Sequence, residues 1–246
     1  MKKVHFFVAI LLLCCRISAQ NHFDALMLDS TSVCVKMAIA DKDVKGEWVI
    51  GPFLRPKVGN PILEPQPISF YCPMRKEQVK WEESDVFNPA ATVKDGKIIV
   101  LFRAEDNSAQ GIGKRTSRIG YAESANGVTM ERLDSPVLFP GADEFENIEC
   151  PGGCEDPRVA MTEDGLYVML YTAWNRKTPR LAVATSNNLK NWTKHGLAFE
   201  KAYDGRFGRI ATKSASILTK VKGGKLVIDK VDGKYFMYWG EYAVHA

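Results

Sequence analysis

The 246-residue chain has no long apolar run, no strong net charge and few histidines, and each absence excludes a class of function. No stretch approaches the roughly eighteen apolar residues of a membrane-spanning helix, so no membrane span is expected. The 33 basic residues nearly balance 29 acidic ones, so the chain lacks the strong positive charge that nucleic-acid binding would need. The four histidines are scattered, which argues against nucleophilic serine or cysteine chemistry. A globular protein with 46% hydrophobic residues remains.

The first residues are typical of a secretory signal peptide. Lys2 and Lys3 precede an apolar run from Val4 to Cys15, and a small residue, Ala19, provides a cleavage point. We therefore predict a signal peptide over residues 1–19 and a secreted or periplasmic protein. Cys15 and its neighbouring cysteine also leave open a lipid anchor at the outer surface.

Cysteines are few once this segment is removed: Cys34, Cys72, Cys150 and Cys154 remain. In an oxidising compartment one or two disulfides are compatible with this number, and so are free buried thiols, because pairing cannot be read from sequence. No second pair of ligands follows at zinc spacing, and no acidic cluster has the spacing of a calcium loop. Neither a metal nor another cofactor is expected.

Three segments repeat about every seventy residues, and this repeat predicts the fold. Asp-Gly pairs at 95–96, 164–165 and 232–233 each separate stretches rich in apolar and β-branched residues. With about four strands in each unit, the pattern predicts an all-β protein, a β-propeller or alternatively a β-sandwich. We assign residues 20–80 to a strand-poor N-terminal lead-in and residues 81–246 to the repeated domain.

Polar side chains recur at the beginning of each repeat. Asp156 and Arg158 follow a turn that contains two glycines, and we expect both on the same face of a strand. Superposing the repeats would bring their first polar residues to one funnel, where amide, carboxylate and guanidinium groups suit a polyol, although surface ion pairs are the alternative. The predicted binding residues are Asn88, Arg103, Asp106, Arg158 and Lys213.

Two carboxylates in this funnel would suit inverting glycoside hydrolysis, which needs an acid and a base on opposite faces of the sugar. Asp156 is one candidate. Glu241, which closes an aromatic strand after Trp239 and Gly240, is the other. Burial beside aromatic rings would raise the pKa of the Glu241 carboxyl toward a working value.

The sequence resembles glycoside hydrolase family 130, the mannoside phosphorylases and β-mannosidases built on a five-bladed β-propeller. The resemblance rests on residues 86–90, 101–106 and 117–124, and above all on the Gly-Cys-Glu-Asp-Pro-Arg segment at 153–158. It implies that Asp156 is the catalytic acid, acting through a hydroxyl of the bound mannose. It further implies that this mannose, the end of a β-linked mannoside, is held by Asn88, Arg103, Asp106 and Arg118.

The same resemblance divides the family by what attacks the anomeric carbon. Phosphorylases surround phosphate with basic residues, whereas the hydrolases place glutamates there, and Glu241 is similar to the latter. A secreted β-1,2-mannosidase is therefore the favoured function, with a mannoside phosphorylase or a non-catalytic sugar-binding propeller as alternatives. Compared with the family, this chain supplies about three blades, so we expect it to be C-terminally truncated and to fold poorly or lack activity alone.

Overall fold

The computed structural model describes residues 59–223, 225–240 and 243–246. The regular secondary structure of these residues is almost all β-strand, and their one helix, α1 (Glu146–Glu149), has a single turn. The prediction of an all-β protein is confirmed. No helix in the described ranges is long and apolar enough to cross a bilayer.

Two four-stranded antiparallel units, unit 1 and unit 2, follow one another in the chain, and each adds its strands in sequence order. In both units an Asp-Gly pair lies in the turn from the first strand to the second, as the repeat predicted; φ is positive at Asp95, Gly96 and Gly165. Unit 1 consists of β3 (Asp85–Lys94), β4 (Lys97–Glu105), β5 (Ser117–Ser124) and β6 (Glu131–Arg132). Unit 2 consists of β7 (Gly153–Met161), β8 (Tyr167–Trp174), β9 (Pro179–Ser186) and β10 (Thr193–Leu197).

Unit 3 departs from this pattern. Its first strand pairs with a strand that begins some twenty residues later, and two short hairpins occupy the intervening chain. The Asp-Gly pair at 232–233 therefore closes only the second of these hairpins. The strands of unit 3 are β11 (Lys213–Ile217), β12 (Thr219–Lys222), β13 (Lys225–Ile228), β14 (Lys230–Val231), β15 (Lys234–Tyr235), β16 (Met237–Gly240) and β17 (Val244–His245).

A further hairpin precedes unit 1, formed by β1 (Gln66–Cys72) and β2 (Glu77–Glu82). This hairpin lies in the segment predicted to be poor in strands, and the boundary placed after residue 80 falls inside β2. Alternation of apolar and charged residues from Glu77 to Trp81 is the signal of a half-buried strand. The six prolines between residues 52 and 73 obscured it.

Three layers of apolar side chains join these parts face to face. The first lies between the β1–β2 hairpin and unit 1, the second between units 1 and 2, and the third between units 2 and 3. Members of the first layer include Trp81 and Phe102, whose rings stack with centroids 6.1 Å apart. Each unit therefore buries its faces against its neighbours in chain order.

The described cysteines are unpaired. Cys72 and Cys154 are buried and Cys150 is half-buried, all as free thiols. Burial raises the pKa of the Cys150 thiol to about 12, and neighbouring Glu146 and Glu149 add to this effect. Cys34, the remaining candidate for a disulfide, lies outside the described residues.

Gly153 of unit 2 packs directly against the backbone of Ser117 in unit 1. A Cβ atom added there would lie 2.0 Å from the carbonyl oxygen of Ser117, and Gly153 has a φ of 104°. Only glycine avoids both the overlap and the strained backbone. This contact fixes the beginning of β7 against the beginning of β5 and so sets the relative position of the side chains that follow.

Candidate active site at the beginning of the inner strands

The first strand of each unit carries the same irregularity. A shift of register interrupts the pairing of β3, β7 and β11, and at each shift one non-glycine residue has a positive φ: Asn88 at 45°, Asp156 at 49° and Ser214 at 54°. Asn and Asp tolerate this conformation better than most residues. Backbone strain of this kind clusters at functional sites, and here it recurs three times at one end of the strands.

Asp156 is the centre of a cluster of polar side chains at this end. Its Oδ1 atom accepts hydrogen bonds from Asn88 Nδ2 at 2.8 Å and from Arg103 Nη1 at 3.0 Å. The Lys213 ammonium lies 3.5 Å from the other carboxylate oxygen. The structure thus brings together four of the predicted site residues, one or more from each unit. Their roles toward a substrate stay predictions.

Arg103 holds this cluster together and has little capacity left for another partner. Its guanidinium also donates to Ser117 Oγ at 3.0 Å, to Glu105 Oε1 at 2.6 Å and to Glu155 Oε1 at 2.8 Å. With the bond to Asp156, four of its five N–H groups are used, and its side chain is 3% exposed. Arg103 therefore acts as an internal support, and a direct contact with sugar would use its one remaining donor.

The surroundings of the two adjacent carboxyls, Glu155 and Asp156, shift their pKa values in opposite directions. Burial alone would raise the pKa of Asp156, but hydrogen bonds from Asn88 and Arg103 and the charges of Arg103 and Lys213 outweigh it, so the pKa lies below its ordinary value. Burial dominates at Glu155 and raises its pKa, despite Arg103 and Lys213, because the charges of Asp156 and Glu105 add to it. Asp156 is therefore the more acidic of the two carboxyls.

Asp106 and Arg118 do not join this cluster. They form their own buried ion pair at 2.9 Å, and Arg118 also lies 5.2 Å above the ring of Phe70. Arg118 pairs across the sheet with Ala104, so its side chain lies on the opposite face of unit 1 from Arg103. Burial would raise the pKa of Asp106, but Arg118 and hydrogen bonds from Ser108 hold it below its ordinary value.

Arg158 also lies apart from Asp156, contrary to the expectation of a shared face. The register shift between Glu155 and Arg158 resets the alternation of side chains, and Arg158 Nη1 donates to the carbonyl oxygen of Pro157 at 2.7 Å. Among the described residues it forms no ion pair. It lines a small cavity between β3, β7 and β11, together with Ala90 and Ser216.

Three residues of the cluster were not predicted as site residues: Glu105, Glu155 and Ser117. Glu105 had a signal in the sequence, since it stands two residues after the predicted Arg103 on one strand and therefore shares its face. Ser117 lies opposite Glu105 in the register of β4 and β5, and this pairing could not be read from the sequence.

Glu241, the predicted base, lies outside the described residues. Within those residues no group of three or more His, Cys, Asp or Glu side chains could hold a metal ion.

Comparisons with known proteins agree on one family. The family model of glycoside hydrolase family 130, described as beta-1,4-mannooligosaccharide phosphorylase, matches residues 57–246. The 1,2-beta-oligomannan phosphorylase of Thermoanaerobacter sp. (strain X514) is 32% identical over 173 residues, covering 69% of this chain and 50% of that protein. The chain spans about half the length of the curated relatives it matches.

Solved structures show stronger similarity. One belongs to work describing glycoside hydrolases of this family that target β-1,2 mannosidic linkages in Candida mannan; it is 59% identical, with a TM-score of 0.80 over 82% of this chain and 56% of its own. A glycosyl hydrolase from Bacteroides ovatus is 58% identical, with the same TM-score and the same coverage of both chains.

Proposed function

The chain belongs to glycoside hydrolase family 130, and on that premise we propose that it is a glycosidase that releases mannose from β-1,2-mannosides with inversion. The observation that carries this proposal is the position of Asp156, held on a strained strand by groups from all three units. Asn88 and Lys213 stand beside it and are the groups available to the hydroxyls of a bound mannose. Asp106, Arg118 and Arg158 would then support the site from outside the cluster.

A catalytic acid must carry a proton when the bond breaks, whereas the surroundings of Asp156 favour its ionised form. We propose that substrate binding reverses this balance. A sugar over Asp156 would exclude water, and a hydroxyl that takes the place of the Lys213 ammonium would remove one favourable charge; both effects raise the pKa of a carboxyl. A proton could then pass from Asp156 through the sugar hydroxyl to the glycosidic oxygen.

Two observations favour hydrolysis over phosphorolysis: the charges of the cluster, and the high sequence identity to a relative from work on hydrolases. Arg103 and Lys213 already face Glu105, Glu155 and Asp156, and Arg115, which lies 3.7 Å from Glu105, also pairs with Asp85. Each cation of the centre therefore has a carboxylate partner, which leaves little positive charge to attract phosphate. The 59% identical relative described as acting on β-1,2 linkages belongs to work on hydrolases. In this proposal Glu241 is the base that activates water.

A mannoside phosphorylase is the second candidate, because the curated relatives at 32% and 30% identity are phosphorylases. Such an enzyme would bind inorganic phosphate and release mannose 1-phosphate. A non-catalytic sugar-binding propeller is the third, and it would bind mannosides without turning them over.

Product analysis separates these candidates. The chain is incubated with β-1,2-mannobiose with and without phosphate, together with a chimaera in which the C-terminal part of the Bacteroides ovatus glycosyl hydrolase follows Ala246. Free mannose without phosphate supports the hydrolase, and α-mannose as the first product supports inversion. Mannose 1-phosphate formed only with phosphate would replace that proposal by the phosphorylase, and binding without any product would favour the binding propeller.

We further propose that the three units are blades of a five-bladed propeller and that residues 1–19 direct export. The apolar layers that stack unit 1 on unit 2 and unit 2 on unit 3 support the first statement, and the apolar run after Lys2 and Lys3 supports the second. Determining the N-terminal residue of the processed protein tests export: a chain that still begins at Met1 would contradict it.

A further inference from the structure

Several loops connect strands at the end of the sheet where Asp156 lies. One of them, residues 198–212, runs from β10 of unit 2 to β11 of unit 3 and ends beside Lys213. We call residues 199–210 the aromatic loop, after the rings of Phe199, Tyr203 and Phe207. The side chains that surround Asp156 all lie outside this loop.

The rings of the aromatic loop are stacked in order from the surface toward β16. The Tyr203 and Phe207 ring centroids are 5.5 Å apart and nearly perpendicular, and those of Phe207 and Trp239 are 5.8 Å apart. Phe199 packs against Trp239 at 4.6 Å. Gly240, the residue after Trp239, pairs with Lys213, which contacts Asp156. The row of rings therefore runs from the surface to Trp239, which stands one residue before the backbone partner of Lys213.

Tyr203 carries the outermost ring, which is largely exposed although it packs against Phe207. It is 79% exposed, and its backbone has a φ of 49°, a conformation that bulky residues seldom adopt. Asp204 and Arg206, on either side of Gly205, are exposed as well. A rigid ring flanked by a carboxylate and a guanidinium offers a face for stacking and polar groups for hydroxyls.

We propose that Tyr203 is a distal sugar-binding subsite, which stacks on a mannosyl unit of the leaving group beyond the bond that is broken. This inference rests on the proposed function and makes it more specific: the substrate class is an oligosaccharide longer than a disaccharide. In this proposal the two units of a β-1,2-mannobiose lie beside Asp156 and make no contact with Tyr203, whereas a mannotetraose extends to it.

The test compares Tyr203→Ala and Tyr203→Phe with β-1,2-mannobiose and β-1,2-mannotetraose as substrates, in the chain and in the chimaera described above. Loss of the stacking face is expected to raise KM for mannotetraose about tenfold, with little change for mannobiose. Phenylalanine keeps the ring and should keep both values. Tyr235→Ala is the matched control, because Tyr235 is 62% exposed and lies in a hairpin of unit 3 at the opposite end of the strands from Asp156.

Equal effects on both substrates, or none, would overturn the inference and leave the proposed glycosidase intact. If no wild-type protein turns over any mannoside, the proposed function has failed, and a titration with mannotetraose followed by tryptophan fluorescence decides about the subsite. Binding that Tyr203→Ala removes and Tyr203→Phe retains would preserve it as a binding site. Absence of binding would overturn it.

Discussion

At the scale of single residues, the position of Asp156 makes two separate demands, one on the backbone and one on the side chain. Its backbone needs a residue that tolerates positive φ, and its carboxylate needs donors to offset burial. Asparagine satisfies the first requirement as well as aspartate does, and it can neither hold nor deliver the acidic proton. Asp156→Asn therefore separates chemistry from structure.

We expect Asp156→Asn to reduce turnover of β-1,2-mannobiose by roughly 10²–10⁴ while mannoside binding changes little. Steady-state kinetics and a binding titration on the same preparations measure both quantities. The control is Asp164→Asn, which alters an exposed aspartate at the turn between β7 and β8, far from the cluster. If Asp156→Asn retains wild-type turnover, Asp156 is not the acid.

Lys213 is expected to tune the same carboxyl. Its ammonium lowers the pKa of Asp156, so removing it in Lys213→Gln raises that pKa. An acid with a higher pKa stays protonated to a higher pH, and the alkaline limb of the kcat/KM profile should move upward by about one pH unit. Lys220→Gln, which removes an exposed lysine paired with Asp229 in the same unit, should leave the profile unchanged. A downward shift would contradict the assignment.

At the scale of strands and hairpins, the sequence predicted much of the fold because its signals are local. Alternating apolar residues and Asp-Gly turns predict units 1 and 2 correctly, since a hairpin is specified within about twenty residues. The same local reasoning placed Asn88, Asp156 and Lys213 at corresponding points of successive repeats, and the structure brings them together.

What the sequence did not predict depends on register and on contacts distant in the chain. A bulge adds one residue to a strand and reverses which side chains face the site, so Arg158 faces away from Asp156 although the spacing suggested otherwise. Arginine is a residue type suited to binding sugar hydroxyls, so Arg118 was predicted to bind the substrate. The β1–β2 hairpin that buries it comes some forty residues earlier in the chain. No pattern within either segment reveals the other.

The contact between β2 and β6 gives unit 1 a measurable dependence on pH. Burial raises the pKa of Glu82 to about 7, although Arg132 opposes the shift from 3.0 Å away. The folded state therefore binds a proton more tightly than the unfolded chain between pH 4.5 and 7, and the free energy of unfolding should fall as the pH rises through that range.

Glu82→Gln removes this titration, so its stability relative to the wild type should improve by roughly 1–3 kcal/mol between pH 4 and pH 8. Urea unfolding at three pH values in that range measures the difference. Glu77→Gln is a suitable control, because Glu77 stands on the same strand and is 51% exposed. If the wild type and Glu82→Gln show parallel pH dependences, Glu82 is ionised throughout and the explanation fails.

At the scale of the whole molecule, the described residues form one stack in which the β1–β2 hairpin and units 1, 2 and 3 share three apolar layers. The position of the site follows from this stacking, because Asn88 and Arg103 from unit 1, Asp156 from unit 2 and Lys213 from unit 3 meet only when the units are in contact. Damage to one layer should therefore affect stability and site together.

Trp81→Ala tests this coupling in the layer farthest from Asp156. Trp81 is fully buried, stacks on Phe102 and donates a hydrogen bond to the carbonyl oxygen of Asp134 at 2.9 Å. Its removal should cost about 3–5 kcal/mol and shift the whole unfolding transition, with signals from unit 3 moving together with those from unit 1. Tyr71→Ala, at a 58% exposed position in the same hairpin, should change stability by less than about 0.5 kcal/mol. If Trp81→Ala leaves the main transition in place, the hairpin is an independent lead-in and the site does not depend on it.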